Sequence, residues 1–267
     1  MIEVKNIDPI DEQSIAQEAK SRTGKELIQA SIEFSKEKRA TSWLHTISVL
    51  ILVSASFTAS LLAPNVFSQA AFGLLTGLSL VRFFIIYHDY NHHAILKNSV
   101  LAKAIMTVYG IIILAPRTIW KRSHDHHHRF NSKLSNSGVG SYPLLSKQEF
   151  NKLTKRQRTL YLTARNPITI ALGYVSLFIF DFNVKTFIQS PKNHWDSLIA
   201  LIVHGAVYYF IYTNFGLTTT LLTWTLPFIV ANGMGSYLFY AQHNFPGAIY
   251  TDNKDWDFTS AAINSTS

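Results

Sequence analysis

Two histidine-rich segments carry the side chains of this chain that are best suited to metal chemistry. The first, at residues 88–93, reads His-Asp-Tyr-Asn-His-His, and the second, at residues 124–128, reads His-Asp-His-His-His. Together they contain seven of the 11 histidines. Neutral imidazole is a good ligand for iron, copper, nickel and zinc, and the chain has no cysteine that could add a thiolate. The sequence therefore predicts a metal site whose ligands are nitrogen or oxygen atoms.

The spacing within each segment indicates which imidazoles share a helix face, because residues three or four apart lie on the same side of a helix. By this rule five histidines face inward as candidate metal ligands: His88, His92, His124, His127 and His128. His93 and His126 point elsewhere and are reserve candidates. Five nitrogen ligands exceed the four of one tetrahedral site, so the pattern favours two metal ions.

The composition around these segments is that of a membrane protein. Of the 267 residues, 48% are hydrophobic and only 15% are charged, and no Asp, Glu, Lys or Arg occurs in residues 40–81 or 197–251. Each uncharged tract is long enough for two helical crossings of a hydrocarbon layer about 30 Å thick. We therefore predict an all-α, multi-pass membrane protein with four transmembrane helices and a cytoplasmic helical cap that carries the histidines.

The predicted crossings are residues 43–63, 67–87, 198–212 and 217–240. Two further apolar segments, residues 104–116 and 166–180, contain 13 and 15 uncharged residues. Both are too short for a comfortable crossing, and we predict that they are interfacial or re-entrant, which leaves both histidine segments on one side. Residues 1–40 are expected to be a polar cytoplasmic segment, and residues 41–267 the membrane domain.

The net charge of +8 has a topological explanation. Basic residues gather before the first crossing and in residues 117–165, which hold 11 Lys and Arg, whereas the predicted outer turns have none. By the positive-inside rule, the N-terminus and the histidine segments are cytoplasmic, where anionic lipid headgroups also attract them. We predict no nucleic-acid partner.

Other polar residues have weaker or separate claims. His243 follows the fourth predicted crossing and returns to the histidine-bearing face, so it is the predicted sixth ligand. Asp89 and Asp125 each follow the first histidine of a segment and could accept imidazole N–H groups, or could be ordinary surface carboxylates. Three histidines have weaker claims as ligands, because they lie at the interface near the start of a crossing, in a loop and inside a crossing: His45, His194 and His204.

At these residues the chain resembles the integral-membrane fatty acid desaturases. That family has an HxxxH box after its second crossing, an HxxHH box some tens of residues later, and a third HxxHH-type box after its fourth crossing. Residues 88–92 match the first box, and residues 120–128 resemble the second, including its upstream tryptophan. Residues 242–245, Gln-His-Asn-Phe, and 255–258, Asp-Trp-Asp-Phe, look like the approach to the third. The resemblance covers the chain from about residue 43 onward.

The resemblance implies two iron ions, consumption of O2, and removal of two hydrogens from a fatty acyl chain that is carried on a lipid or as an acyl thioester. It also implies a separate electron donor, cytochrome b5-like or ferredoxin-like, for which the basic stretch of residues 147–165 is a candidate docking surface. A third box is not found before Ser267. We therefore expect a fragment of a longer protein, the alternative being an incomplete metal site.

Two other functions fit the same residues. A membrane hydroxylase or ketolase of the histidine-box type, acting on a lipid, sterol, alkane or carotenoid, would use the same ligands, and only the mass of the product separates it from a desaturase. A non-catalytic protein that binds or transports metal would need ligands at mid-membrane depth. The histidine segments are predicted to lie just outside the hydrocarbon, which counts against transport.

Overall fold

The structure is a computed structural model that describes residues 24–134, 142, 144–242, 244–252 and 254–264. In this part of the chain the regular structure is helical, apart from one isolated parallel bridge between Lys133 and Thr251. The prediction of an all-α membrane protein is confirmed. The chain divides into two compact units, residues 1–38 and 39–267.

Helix α1 and the turn that follows it are the described part of the first unit. Helix α1 runs over Gly24–Ser31 and is followed by a 3₁₀ turn at Ile32–Ser35. Ile28, Ile32 and Phe34 have exposed side chains. The rest of the predicted polar segment, residues 1–23, lies outside the described residues.

The second unit begins with two long helices joined by a short turn. The capping Asn65 side chain accepts a hydrogen bond from the Ser68 N–H and starts the second of them. The helices of this unit are α2 (Arg39–Leu62), α3 (Val66–Asn91), α4 (Val100–Ile112), α5 (Arg117–Arg129), α6 (Lys147–Lys152), α7 (Lys155–Ala164), α8 (Pro167–Ala171), α9 (Thr186–Gln189), α10 (Trp195–Thr220), α11 (Leu226–Ala241) and α12 (Phe258–Asn264). Two π-helical stretches, Tyr174–Lys185 and Leu221–Thr225, precede α9 and α11.

Three helical stretches of the described chain are long and apolar enough to cross a membrane: α2, α3 and the 47 residues of Trp195–Ala241. The third stretch is not a single rod, because Gly216 has non-helical backbone angles, φ 80° and ψ 171°. The rings of His204 and Trp224 are only 5.0 Å apart, whereas 20 residues of straight helix would separate them by about 30 Å. The stretch therefore doubles back, which makes four candidate crossings in the described chain.

The segment between the second and third crossings does not form another one. Helices α4 and α5 meet at an angle of 91°, and α5 is polar from Lys121 to Arg129. Helix α4 alone is about 20 Å long, which is shorter than the hydrocarbon layer. The prediction that residues 104–116 do not cross therefore agrees with the structure. Both histidine segments then lie on the same side of the membrane.

The crossings pack closely through glycines. A Cβ atom at Gly73 would lie 2.2 Å from the Leu222 carbonyl oxygen, and one at Gly77 would lie 2.8 Å from Val230 Cβ. These glycines are four residues apart on one face of α3, the small-residue spacing that lets membrane helices approach each other. Their contacts fix α3, the helix that carries the first histidine segment, against the last crossing.

We predict that Gly73→Ala destabilises the protein by about 1–3 kcal/mol, because the added methyl group must displace a backbone carbonyl. Gly205→Ala is the matched control, since a Cβ there meets nothing within 4 Å. Thermal unfolding of the two variants in one detergent measures the difference. Equal melting temperatures would contradict the assignment of this contact.

Candidate metal centre

Four imidazoles come together at the junction of α3 and α5. His88 lies in the last turn of α3, His92 follows the end of that helix, and His124 and His128 lie one turn apart on α5. One ring nitrogen of each lies within 4.8 Å of the corresponding nitrogen of the other three. Among the residues that the structure describes, this is the group of side chains able to hold a metal ion.

Three of the separations between these nitrogens are close to those of ligands that share a single metal ion. His92 Nε2 is 3.2 Å from His88 Nε2 and 2.8 Å from His124 Nε2, and His124 Nε2 is 3.0 Å from His128 Nε2. With metal–nitrogen bonds of about 2.1 Å, two ligands that subtend 90–109° at the ion are about 3.0–3.4 Å apart. The donor set therefore fits a first-row transition metal.

One of the predicted carboxylates orients an imidazole of this group. Asp89 Oδ1 is 3.0 Å from His88 Nδ1, and both side chains are half-buried. A carboxylate accepts the Nδ1–H, so the proton stays on Nδ1 and the lone pair of Nε2 faces the other imidazoles. Asp89 thus selects the tautomer of His88 that can bind a metal.

The surroundings keep two imidazoles of this group, those of His92 and His124, neutral. Burial, reinforced by the neighbouring His88 and His128, lowers the pKa of His92 to about 4. Burial, with repulsion from the other three imidazoles of the group, lowers the pKa of His124 to about 2. Neutral imidazole is the form that binds metal, so these two imidazoles are available as ligands at neutral pH.

Trp120 holds the central imidazole in place. Its indole is buried and stacks on the His124 ring, with 4.7 Å between ring centroids and 19° between ring planes. On its other side it contacts Phe84 and Phe239. The sequence marked this tryptophan only through the family resemblance, and the stacking identifies its physical role as a wedge that fixes the orientation of His124.

His127 lies apart from the four imidazoles. Its ring is buried and parallel to that of His124 at 6.1 Å, and its Nε2 is 3.3 Å from Gln242 Nε2. His243, the predicted sixth ligand, lies outside the described residues. His127 is therefore directed toward the end of α11, where the chain reaches residue 243.

The reserve candidates and the second carboxylate point away from the group. His93 is exposed and has a left-handed backbone, φ 58°, just beyond the end of α3. His126 packs against Phe130, with 4.7 Å between ring centroids. The Asp125 carboxylate forms an ion pair with Lys121 Nζ at 2.8 Å. Of the two predicted acceptors, Asp89 is the one with an imidazole donor.

The bend between α4 and α5 sets the direction in which α5 leaves the membrane region. The Tyr87 hydroxyl donates to the Ala115 carbonyl at 2.9 Å, and Asn183 Nδ2 donates to the Leu114 carbonyl at 2.7 Å. Leu114 is fully buried in the left-handed region, φ 62°. Such a conformation persists only where its surroundings enforce it, and the partners lie 28 and 69 residues away, so local sequence patterns could not have revealed them.

The start of α5 is hydrogen-bonded to α10, the third crossing. Thr118 donates its N–H and its hydroxyl to the Asp196 carboxylate, at 3.1 Å and 2.5 Å. His194 Nδ1 is 3.0 Å from the same hydroxyl. His204 bonds Tyr174 and Trp224 in the interior. Both histidines are thus structural, in line with their weak claims as ligands.

Comparisons with known proteins agree with this geometry. A family model described as fatty acid desaturase matches residues 65–266. A fatty acid desaturase of Bacillus subtilis is 30% identical over 192 residues, 70% of this chain and 54% of that protein. A chloroplastic omega-6 fatty acid desaturase of spinach is 23% identical over 72% of this chain and 42% of its own length. An sn-1 oleoyl-lipid 12-desaturase of Synechocystis is 20% identical over 88% and 66%.

The chain spans between 42% and 66% of the length of these relatives. The family model nevertheless covers three of the four crossings, the α4–α5 bend and both histidine segments. By this match and by the arrangement of its imidazoles, the chain belongs to the fatty acid desaturase family.

Proposed function

We propose that this chain is the membrane part of an oxidoreductase that introduces a double bond into a fatty acyl chain. In the balanced reaction, O2, two electrons and two protons oxidise a –CH2–CH2– unit to –CH=CH–, and two molecules of water are released. The observation that carries the proposal is the group formed by His88, His92, His124 and His128. Its nitrogens converge at the end of an apolar crossing, within reach of a lipid chain.

The target of this reaction accounts for the choice of ligands. An unactivated C–H bond offers no acidic proton to a general base and no carbonyl to a nucleophile. Iron bound at this site would supply the activation of O2 that such a bond requires. We propose that the four grouped imidazoles hold one iron ion, and that His127 and His243 belong to the ligands of a second.

The protein itself would orient the ligands and exclude water. Asp89 fixes the tautomer of His88, and Trp120 fixes the ring of His124. The aromatic side chains of Phe84 and Phe239, which belong to two apolar crossings, pack against the indole. We propose that the acyl chain approaches from this apolar side. An acyl lipid is the favoured substrate class, and the name of the Synechocystis relative, an sn-1 oleoyl-lipid 12-desaturase, supports it.

We expect the protein, produced with any further C-terminal part that its gene encodes, to convert a saturated or monounsaturated acyl lipid into a product lighter by two hydrogens. His124→Ala should remove both the bound iron and the product, because His124 Nε2 contacts two other candidate ligands. Product masses and iron content in membranes supplied with an electron donor provide the measurement.

His45→Ala is the control, since this exposed histidine lies in the first turns of α2 and is not one of the four grouped imidazoles. It should keep both iron and product. A product heavier by one oxygen would favour the hydroxylase alternative. Iron-loaded protein that releases neither product from a range of acyl lipids would refute the oxidative reaction.

We propose a cytoplasmic location for the N-terminus and the histidine segments, supported by the basic residues near them and by the even number of crossings. The absence of cysteine allows a direct test with single-cysteine variants. In intact cells a membrane-impermeant maleimide should label Asn214→Cys, near the Gly216 turn, and leave exposed Asn151→Cys unlabelled until the cells are opened. The reverse labelling would overturn the orientation.

We further propose that α6 and α7 contribute to the docking of an acidic electron donor, either cytochrome b5-like or ferredoxin-like. Lys152, Lys155 and Arg156 are exposed on these helices, and complementary charge speeds association at low ionic strength. Lys152→Glu with Lys155→Glu should raise the KM for the donor several-fold and leave kcat at saturation unchanged. Lys97→Glu with Lys103→Glu makes the same charge change elsewhere and should not affect the KM; equal effects would argue against docking here.

A further inference from the structure

We infer that Asp196 is a positioning residue for the metal centre, acting from the third crossing on the helix that carries the second histidine segment. The inference rests on the proposed metal centre. Asp196 lies in the first turn of α10 and is 78 residues from its partner Thr118 in α5. Its contacts connect two elements that otherwise belong to separate parts of the chain.

Helix α5 lacks a cap of its own. Its capping position is Pro116, which forms no side-chain hydrogen bond to the helix start, and the first N–H groups of a helix need external acceptors. Asp196 Oδ2 accepts the Thr118 N–H at 3.1 Å, while Oδ1 accepts the Thr118 hydroxyl at 2.5 Å. A negative charge at this position also interacts favourably with the helix dipole, which is positive at the N-terminus. The carboxylate thus replaces the missing cap from a distance.

The donors and acceptors among His194, Thr118 and Asp196 can be assigned. The Thr118 hydroxyl has a single proton, which it donates to Asp196, so it accepts from His194 Nδ1 at 3.0 Å. His194 is buried and directly precedes α10. Three side chains therefore fix both the axial position and the rotation of the first turn of α5.

The first turn of α5 determines where its imidazoles point. Trp120 lies two residues after Thr118, and its indole stacks on His124, which contacts His92 at 2.8 Å. Rotation or fraying at Thr118 would move this stack and open the nitrogen group. Two other carboxylates bond locally instead: Asp125 pairs with Lys121, and Asp257 accepts the Ser260 N–H at the start of α12.

The test is cobalt(II) binding to the purified full chain in detergent, followed by visible absorption, whose intensity reports coordination geometry. Asp196→Ala should weaken cobalt affinity about tenfold, the lower end of the effect of removing residues that orient metal ligands, and change the absorption of the bound ion. Asp196→Glu keeps the carboxylate and should retain affinity within about twofold. Asp257→Ala removes a cap from a helix without candidate ligands and should leave affinity and spectrum unchanged.

Thr118→Val provides a second, milder variant in case Asp196→Ala fails to fold. It removes the hydroxyl but keeps the N–H contact, so we expect about threefold weaker binding, with Thr118→Ser equal to the wild type. If Asp196→Ala or Thr118→Val matches the wild type in affinity and spectrum, Asp196 has no positioning role. If the wild-type chain binds no cobalt, the proposed metal centre fails as well.

Discussion

The 91° bend between α4 and α5 is the constraint on which the rest of the site depends. It turns a polar, histidine-bearing helix out of an apolar segment and lays it across the end of α3. The bend is costly, because Leu114 is buried in a left-handed conformation. Hydrogen bonds from Tyr87 and Asn183 to the bend carbonyls offset that cost. The two histidine segments meet because these distant residues hold the corner.

Contacts between protein side chains orient the imidazoles of the polar site within this strongly apolar chain. Three of the four grouped imidazoles have a protein side chain that orients them: a carboxylate at His88, an indole at His124, and neighbouring imidazoles at His92. Burial keeps His92 and His124 neutral by lowering their pKa values. A buried cluster of charged imidazoles would repel itself, so neutrality is a condition for the packing as well as for metal binding.

Sequence reasoning predicted the fold well and the site only in part. Uncharged tracts predicted four crossings, since hydrocarbon excludes charge regardless of tertiary detail. The four-residue spacings predicted that His88 and His92 share one helix face and that His124 and His128 share another. The structure brings these four imidazoles together. The rule of shared faces also predicted His127 as a ligand; in the structure its ring lies 6.1 Å from that of His124, and its Nε2 is next to Gln242, so its role stays a prediction. Asp196, Tyr87 and Asn183 act over long separations in sequence, and no periodic pattern encodes such contacts.

The close contacts of Gly73 and Gly77 have a mechanical consequence for the chemistry. Helix α3 is about 39 Å long, and a tilt of about 3° would displace one end by about 2 Å relative to the other. Metal–ligand distances vary by only about 0.2 Å. Two of the four imidazoles move with α3, whereas the other two belong to α5. A bilayer that is thicker or thinner than the crossing exerts such a tilting torque. The close contacts at Gly73 and Gly77 resist this tilt of α3 and so help to hold its histidines in place. The lipid environment and the coordination sphere are therefore mechanically linked.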